Sequence, residues 1–271
     1  MSIPTQVHDR RRRQDRRRTE PHPITEDLAE AITNGGLELL FQPQYAASDH
    51  SLVGAEALVR WEHPDHGKLA GDALVAIAQS GGIARRLSRH ITRAALIAAR
   101  DWPPEQCLSI NVTAMDLFDR TFAEDLLAVL AELKFPAERL ALEITEQALV
   151  ADLDRSAAKL RMLSEHGLRI ALDDFGAGFC NFRYLKVLPL DALKLDRSMI
   201  EGIAHDPRDF AVLRGIIAMA RALDLTVIAE GIETDAQRRI IEQEGCALWQ
   251  GFLGGKPVPA EDFDTKSAFS F

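Results

Sequence analysis

The sequence is poor in cysteine, and the cysteines that it has are widely separated. Only Cys107, Cys180 and Cys246 occur among its 271 residues. An odd number at such spacing argues against a disulfide framework, and the absence of a CxxC pair argues against a zinc–thiolate site. This usage is typical of a reducing compartment, so we expect a cytoplasmic protein.

Long apolar runs are also missing. The best candidate, residues 215–229, is interrupted by Arg221 and Asp224, which argues against a membrane span. The basic N-terminus is not followed by an apolar segment, which argues against a secretory signal. None of the eight histidines has HExxH spacing, and we expect them all, His63 and His66 included, to lie at the surface.

Negative charge dominates the chain, but it is unevenly distributed. Residues 1–23 hold seven arginines and three acids, a charge of +4. Since the whole chain has a net charge of −9, the remaining residues carry −13. An acidic body argues against general nucleic-acid binding, because phosphate contacts need cationic surface. For the Arg-rich arm the composition favours a solvated, disordered tail. Contact with anionic lipid, a nucleic acid or the acidic face of a regulatory protein partner remains an alternative.

Helical and strand-like segments alternate along the remaining chain. Thr25 is predicted to cap a short helix that ends at Asn34, and residues 37–45 and 52–61 form a predicted hairpin. Predicted strands follow at 107–112, 139–144, 168–173, 191–195, 225–229 and 247–250. Predicted helices lie at 72–79, 84–100, 121–133, 152–166, 207–223 and 234–244. About eight strands in one unit favour a closed α/β barrel spanning residues 24–265, with 266–271 as a tail.

Acid or amide side chains end five of the strand-like segments. The segments read AEALVRW, LSINVT, LALEITE, RIALDDFG and TVIAEGIE, and the side chains are Glu56, Asn111, Glu143, Asp173, Asp174 and Glu230. Each could have a local structural role, such as a turn or a surface ion pair. Together they predict one site, because active sites of α/β barrels lie at the carboxyl ends of the strands.

A carboxylate-rich site of this kind needs positive charge. Crowded carboxylates repel one another, and hard divalent cations take oxygen ligands. With no histidine at a strand end, Mg²⁺ or Mn²⁺ is favoured over zinc, and two ions could clamp a phosphate. Lys194, at the end of the next strand, is either a structural counter-ion or a catalytic cation.

The motifs resemble those of EAL-domain cyclic di-GMP phosphodiesterases over residues 37–263. The matching segments are Gln42-Pro43, Glu56-Ala57-Leu58 with Val59-Arg60-Trp61 and His63-Pro64, Asn111, Leu142-Glu143-Ile144-Thr145-Glu146, Asp173-Asp174-Phe175-Gly176, Lys194-Leu195-Asp196-Arg197-Ser198, Ala229-Glu230-Gly231-Ile232-Glu233 and Gln250-Gly251. Several motifs in the same order make the resemblance specific.

The resemblance implies a TIM-like (β/α)8 barrel with an antiparallel first strand, and hydrolysis of cyclic di-GMP to linear pGpG with Mg²⁺ or Mn²⁺, two ions in all. The implied metal ligands are Glu56, Asn111, Glu143, Asp173, Asp174 and Glu230. The implied catalytic residues are Glu56, Lys194, Glu230 and Gln250. The implied substrate-binding residues are Gln42, Leu58 and Arg60. The implied loop anchors are Glu146 and Glu233. Lys194 would position the attacking water, Glu230 would hold a water or act as general base, and Gln250 would join the water network.

The segment after the aspartate pair departs from the family. The family usually reads DDFGTGYSSLSYL, whereas residues 173–185 read DDFGAGFCNFRYL. In the family this segment couples dimerisation to metal binding, so the resemblance implies a homodimer whose control is altered. Two functions therefore stay open: a phosphodiesterase, and a weak or inactive EAL domain that acts as a cyclic di-GMP receptor or interaction module. A different metal-dependent barrel enzyme, such as one acting on an enolate, is a remote third.

Overall fold

The computed structural model describes residues 23–149, 152–178 and 181–265. The Arg-rich arm up to residue 22 and the predicted tail 266–271 lie outside the described residues. Within them, every helix is either too short or too polar to cross a bilayer.

The described residues form ten strands and ten helices. The strands are β1 (Leu37–Ala46), β2 (Leu52–His63), β3 (Gly67–Ala70), β4 (Cys107–Asn111), β5 (Leu140–Thr145), β6 (Arg169–Phe175), β7 (Ala192–Leu195), β8 (Thr226–Ala229), β9 (Leu248–Gln250) and β10 (Val258–Pro259). The helices are α1 (Pro23–Asn34), α2 (Gly71–Ser80), α3 (Ala84–Ala99), α4 (Ala114–Phe118), α5 (Phe122–Leu133), α6 (Glu146–Leu149), α7 (Leu153–Glu165), α8 (Arg183–Val187), α9 (Pro207–Ala222) and α10 (Asp235–Glu244). Single 3₁₀ turns occur at Ala137–Arg139 and Arg197–Met199.

Eight of the strands close into a barrel. Strands β2 and β4 to β9 run parallel in chain order, while β1 is antiparallel to both of its barrel neighbours, β2 and β9. Strands β3 and β10 extend β2 and β1 outside the barrel. The predicted α/β barrel with an antiparallel first strand is therefore confirmed, as is the hairpin that forms it.

The barrel is stabilised by apolar strands packed against a layer of helices. Central strands such as β5 and β7 are buried along almost their whole length, as expected for parallel strands covered by helices. The main core joins both ends of the sheet, with Phe41 of β1 and Trp249 of β9 in the same apolar cluster. The strand ends are therefore held on a rigid frame.

A second apolar cluster lies under α1 and corrects two expectations. The helix begins at Pro23, so Thr25 lies inside its first turn, buried, and does not cap it. His63 is buried as well, although its turn-like sequence predicted a surface position. Its Nδ1 accepts the backbone N–H groups of Asp65 and His66, and its Nε2 lies 3.2 Å from Asp27 Oδ2 of α1. His63 thus joins α1 to the β2–β3 hairpin.

Candidate active site

The carboxyl ends of the parallel strands bring the predicted polar side chains to one place. Each barrel strand from β2 to β9 contributes to the group. The contributions of β4 to β9 lie within the last three residues of the strand or directly after it, whereas Glu56 lies inside β2, next to the point where β2 stops pairing with β4. The contributors are Glu56 of β2, Asn111 of β4, Glu143 of β5, Asp173 and Asp174 of β6, Lys194 of β7, Glu230 directly after β8, and Gln250 of β9. The strand period of two places these side chains, apart from that of Asp174, on the inner face of the barrel, away from the helices. Asp174 follows Asp173 directly and is exposed.

Lys194 lies at the centre of the group. Its Nζ is 2.5 Å from Glu143 Oε2 and 2.8 Å from Glu230 Oε1. It is also 3.1 Å from Asp173 Oδ1 and 3.5 Å from Glu56 Oε2. The lysine is only 1% exposed, so these contacts are made almost without water. Both roles left open by the sequence, counter-ion and catalytic cation, are compatible with this position.

Amide groups complete the hydrogen bonding of Glu56. Asn111 Nδ2 donates to Glu56 Oε1 at 2.7 Å, and Gln250 Nε2 donates to Glu56 Oε2 at 2.9 Å. Gln250 Nε2 also donates to Glu230 Oε1 at 2.8 Å. A carboxylate with both oxygens bonded is held in one orientation, as a metal ligand or catalytic group must be.

The electrostatics of the site separate its carboxyl groups. Burial raises the pKa of Glu143 well above its ordinary value, and the charge of Glu56 adds to the shift. Burial raises the pKa of Glu230 to about 8, helped by Asp173 and Glu56 against the opposing charge of Lys194. Glu56 behaves differently: burial alone would raise its pKa, but Lys194, Gln250 and Asn111 outweigh burial and lower it.

Burial and neighbouring charges also shift the pKa values of Asp174 and Lys194. Burial and the neighbouring Asp173 raise the pKa of Asp174 to about 6. Burial opposes the charged form of Lys194, but the carboxylates around it, Glu143 foremost, raise its pKa well above the ordinary value. Five carboxylates and one ammonium group have a formal charge of −4 when all are ionised. The site therefore attracts further positive charge, as protons or as a metal.

The geometry fits a divalent metal. Oxygens of Asp173, Asp174 and Glu230 lie within 4.8 Å of one another. Glu143 Oε1 is buried and has no hydrogen-bond partner among the described residues, although Oε2 contacts Lys194. Asp174 adopts a left-handed backbone conformation (φ 54°), which is uncommon outside glycine and turns its side chain away from the regular strand direction. An all-oxygen donor set of this kind suits Mg²⁺ or Mn²⁺.

A cavity of about 580 Å³ adjoins the carboxylate cluster at Asn111. It is lined by Leu58 and Arg60 of β2, by α2 and α4, and by Thr145 of β5 and Gln147 of α6. Arg60 keeps one guanidinium N–H on its neighbouring carbonyl, that of Val59, at 2.8 Å. The volume and lining are suited to a nucleotide-sized ligand. Gln42, the third predicted substrate-binding residue, lies opposite Glu56 in the β1–β2 register and does not line this cavity.

The two predicted loop anchors make different contacts. Glu146 Oε2 accepts the backbone N–H of Asn181 at 3.1 Å, in the segment that follows the aspartate pair. Glu233 instead lies 3.1 Å from Arg197, in the segment after β7. The first contact joins α6 to the divergent segment, whose residues 179 and 180 lie outside the described residues.

Sequence reasoning missed one buried polar residue at this site. Gln44 lies two residues after Gln42 on β1, is 4% exposed, and donates from Nε2 to Gln250 Oε1 at 2.9 Å. The alternation along QPQ was the available signal, since residues two apart share a face of a strand.

Comparison with known proteins agrees with this geometry. Residues 25–257 match the family described as EAL domain. MucR of Pseudomonas aeruginosa, a bifunctional diguanylate cyclase/cyclic di-GMP phosphodiesterase, is 34% identical over 88% of this chain and 35% of its own length. The cyclic di-GMP phosphodiesterase NbdA of the same organism is 36% identical over 90% of this chain and 32% of its own length. The chain thus spans about a third of these relatives.

A solved structure is similar in fold to this chain. The PaMucR phosphodiesterase in complex with c-di-GMP is 34% identical, and its TM-score is 0.81. The match covers 87% of this chain and 97% of that chain. The barrel fold therefore has a counterpart in a phosphodiesterase seen in complex with c-di-GMP.

Proposed function

The chain belongs to the EAL domain family, and we propose that it is a metal-dependent phosphodiesterase that hydrolyses cyclic di-GMP to linear pGpG. The observation that carries this proposal is the convergence of five carboxylates, Lys194 and Gln250 at the strand ends, beside a nucleotide-sized cavity. The relatives named as cyclic di-GMP phosphodiesterases support the substrate.

For the metal we propose two ions, Mg²⁺ or Mn²⁺. The residues that would hold them are Glu56, Asn111, Glu143, Asp173, Asp174 and Glu230. Bound divalent ions lower the pKa of a coordinated water and neutralise phosphate oxygens. The protein contributes oxygen ligands whose orientation is set by hydrogen bonds, as Asn111 and Gln250 set that of Glu56.

The reaction requires one water to replace one ribose oxygen on phosphorus. The water oxygen bonds to phosphorus, a P–O3′ bond breaks, and a proton leaves the water while the O3′ leaving group gains one. Glu230, whose pKa of about 8 suits proton exchange near neutrality, is the proposed general base. Lys194 would position the water and stabilise negative charge that develops on the phosphate.

The cavity would hold the parts of the substrate that lie away from the phosphodiester bond that breaks. Arg60 would bind a phosphate or the guanine edge through its guanidinium group, which suits both. Leu58 would pack against the ligand in the cavity, and Gln42 would contact the part of the ligand that lies beside Glu56, its partner in the β1–β2 register. The chemistry of the lining therefore matches an anionic dinucleotide with flat, polar bases.

The direct test is the release of pGpG. Purified protein is incubated with cyclic di-GMP and Mg²⁺ or Mn²⁺, with EDTA as a blank, and products are separated by chromatography. We expect Glu56→Ala to reduce turnover by more than about a hundredfold, because it removes a ligand rather than an outer-shell partner. Glu62→Ala is the matched control, since Glu62 lies on the same strand but is exposed. No pGpG with either metal at neutral and alkaline pH would refute the proposal.

A receptor function is the second candidate, favoured by the divergent segment after Asp174. Cyclic di-GMP that binds to metal-loaded protein in calorimetry without being hydrolysed would select it. For the assembly we propose a homodimer, which sedimentation velocity tests by the mass of the sedimenting species.

The remaining proposals concern location. We propose a cytoplasmic protein, since Cys107 and Cys246 are both free thiols. The Arg-rich arm would add a contact with a membrane surface or a regulatory partner. Unchanged localisation and binding after deletion of residues 1–20 would contradict that role.

A further inference from the structure

Two buried glutamines face each other where β1 meets β9 and closes the barrel. Gln44 and Gln250 are direct partners in the antiparallel register, and both are 4% exposed. Gln44 Nε2 donates to Gln250 Oε1 at 2.9 Å. Gln250 Nε2 in turn donates to Glu56 and Glu230. A chain of hydrogen bonds thus runs from β1 to two carboxylates of the site.

The chemistry of the primary amide makes the orientation of Gln250 important. One end of the group donates and the other accepts, whereas the carboxylates of Glu56 and Glu230 only accept. If the amide of Gln250 rotated by half a turn, its oxygen would face both carboxylates and two hydrogen bonds would become repulsive contacts. A donor on the far side of Gln250 opposes that rotation, because it would then face the N–H groups of Gln250, and Gln44 is this donor. We propose that Gln44 is a positioning residue, which holds the Gln250 amide in the orientation that donates to Glu56 and Glu230.

The outer face of the barrel holds the two glutamines in register. Tyr45 and Trp249, the adjacent partners on the same strands, stack with ring centroids 5.0 Å apart. The Tyr45 hydroxyl donates to the carbonyl of Gly254 at 2.9 Å. Because side chains alternate across a strand, fixing the aromatic pair outside also fixes the glutamine pair inside. Gln44 therefore has little freedom to leave Gln250.

The inference rests on the proposed function in one respect, since Glu56 and Glu230 are proposed metal ligands. Partners that orient metal ligands typically contribute about 10- to 100-fold to metal affinity or activity. Gln44 would act indirectly, because it contacts Gln250 and does not contact a proposed metal ligand itself. Its effect should therefore disappear when Gln250 is already lost.

A double-mutant cycle on Mn²⁺ binding tests this dependence. Gln44→Met keeps the length of the side chain and removes the donor, so a purely space-filling role predicts no change. We expect calorimetry to show Mn²⁺ binding about tenfold weaker in Q44M and in Q250M. The double variant should be no weaker than Q250M alone, because the two residues act in series. An unchanged Q44M, or losses that multiply in the double variant, would overturn the inference.

The side-chain amide signal of Gln250 gives a readout independent of metal and turnover. The Gln250 signal is assigned in metal-free protein as the NMR signal that is missing in Q250M. We expect this signal to shift in Q44M. It should keep its position in Gln106→Met, a control at a buried glutamine outside the site. If Q44M does not fold, Q44L is the second variant. A further measurement uses the wild type, in which the side-chain amide protons of Gln44 should be protected from exchange with water. An unshifted Gln250 signal or an unprotected Gln44 amide overturns the proposal. A shifted signal in protein that releases no pGpG supports the positioning role and contradicts only the proposed hydrolysis.

Discussion

Replacing Lys194 by methionine perturbs the charge balance of the site most directly. Its ammonium group lies between 2.5 and 3.5 Å from four carboxylates. At about 3 Å and an effective dielectric constant of about 20, one such pair attracts by roughly 5 kcal/mol before desolvation is counted. Removing one partner of a buried ion pair typically costs about 3–5 kcal/mol net. We expect K194M to lose about that much unfolding free energy where the carboxylates are ionised.

The loss should depend on pH, and the sign follows from the acids that remain. The pKa of Glu143 is raised, and that of Glu230 is about 8, against an ordinary value of 4.5 for both. For such a group the folded state binds the proton more tightly, so stability is present at low pH and is lost as pH rises through the folded pKa. Without Lys194 these pKa values rise further. Protonation at pH 6 therefore relieves most of the repulsion, and we expect a loss of about 1–2 kcal/mol there, at about 1.4 kcal/mol per pKa unit.

Urea unfolding in EDTA at pH 6 and pH 8.5 measures both quantities. Lys186→Met is the matched control, because Lys186 is exposed on α8 and should lose little at either pH. Adding Glu143→Gln to K194M should recover part of the loss at pH 8.5, since it removes the nearest charge left behind. A loss that is equal at both pH values, or that Glu143→Gln deepens, would refute the view that Lys194 balances these carboxylates.

Three further predictions follow from neighbouring contacts. Mn²⁺ affinity should increase from pH 6 to pH 8.5 in calorimetry, because Asp174, with a pKa of about 6, and Glu230, with one of about 8, must lose protons to bind metal; a flat profile would contradict their role as ligands. Lys159→Met should cost about 1–3 kcal/mol in urea unfolding, because the buried ammonium donates to three carbonyls at the end of α4; an unchanged midpoint would exclude this capping role. Gly176→Ala should cost about 1–3 kcal/mol in the same assay, because the new Cβ would lie 2.4 Å from Met199 Cγ and the backbone φ of +103° disfavours a side chain. Adding Met199→Ala should relieve the steric clash and leave the cost of the backbone conformation.

The fold was largely predictable, because its signals are local. Continuous apolar runs such as that of β5 are typical of parallel strands between helices, and their alternation with helical segments leads to a barrel. Short elements such as α4 and α6 gave no such signal, since one turn of helix has no measurable period. The start of α1 was placed too late because Thr25, a favourable capping residue, is used as a buried side chain instead.

The site divides in the same way. Its acids could be named from sequence because they end apolar strands in a recurrent order, and strand ends of a barrel meet at one edge. The positions of Lys194 and His63 could not, because a lysine between four carboxylates and a buried histidine on Asp27 depend on which elements become neighbours. Gln44 was missed for the same reason, since its partner is more than two hundred residues away along the chain.

The sequence alone therefore determined the architecture, the family and the list of polar groups at the strand ends. These follow from hydrophobic period and from motifs that are contiguous in the chain. The tertiary structure decided in which direction the pKa values of the three glutamates move, because a pKa depends on burial and on neighbours from other strands. It separated Glu56, whose pKa is lowered, from Glu143 and Glu230, whose pKa values are raised, although all three are glutamates of the same cluster.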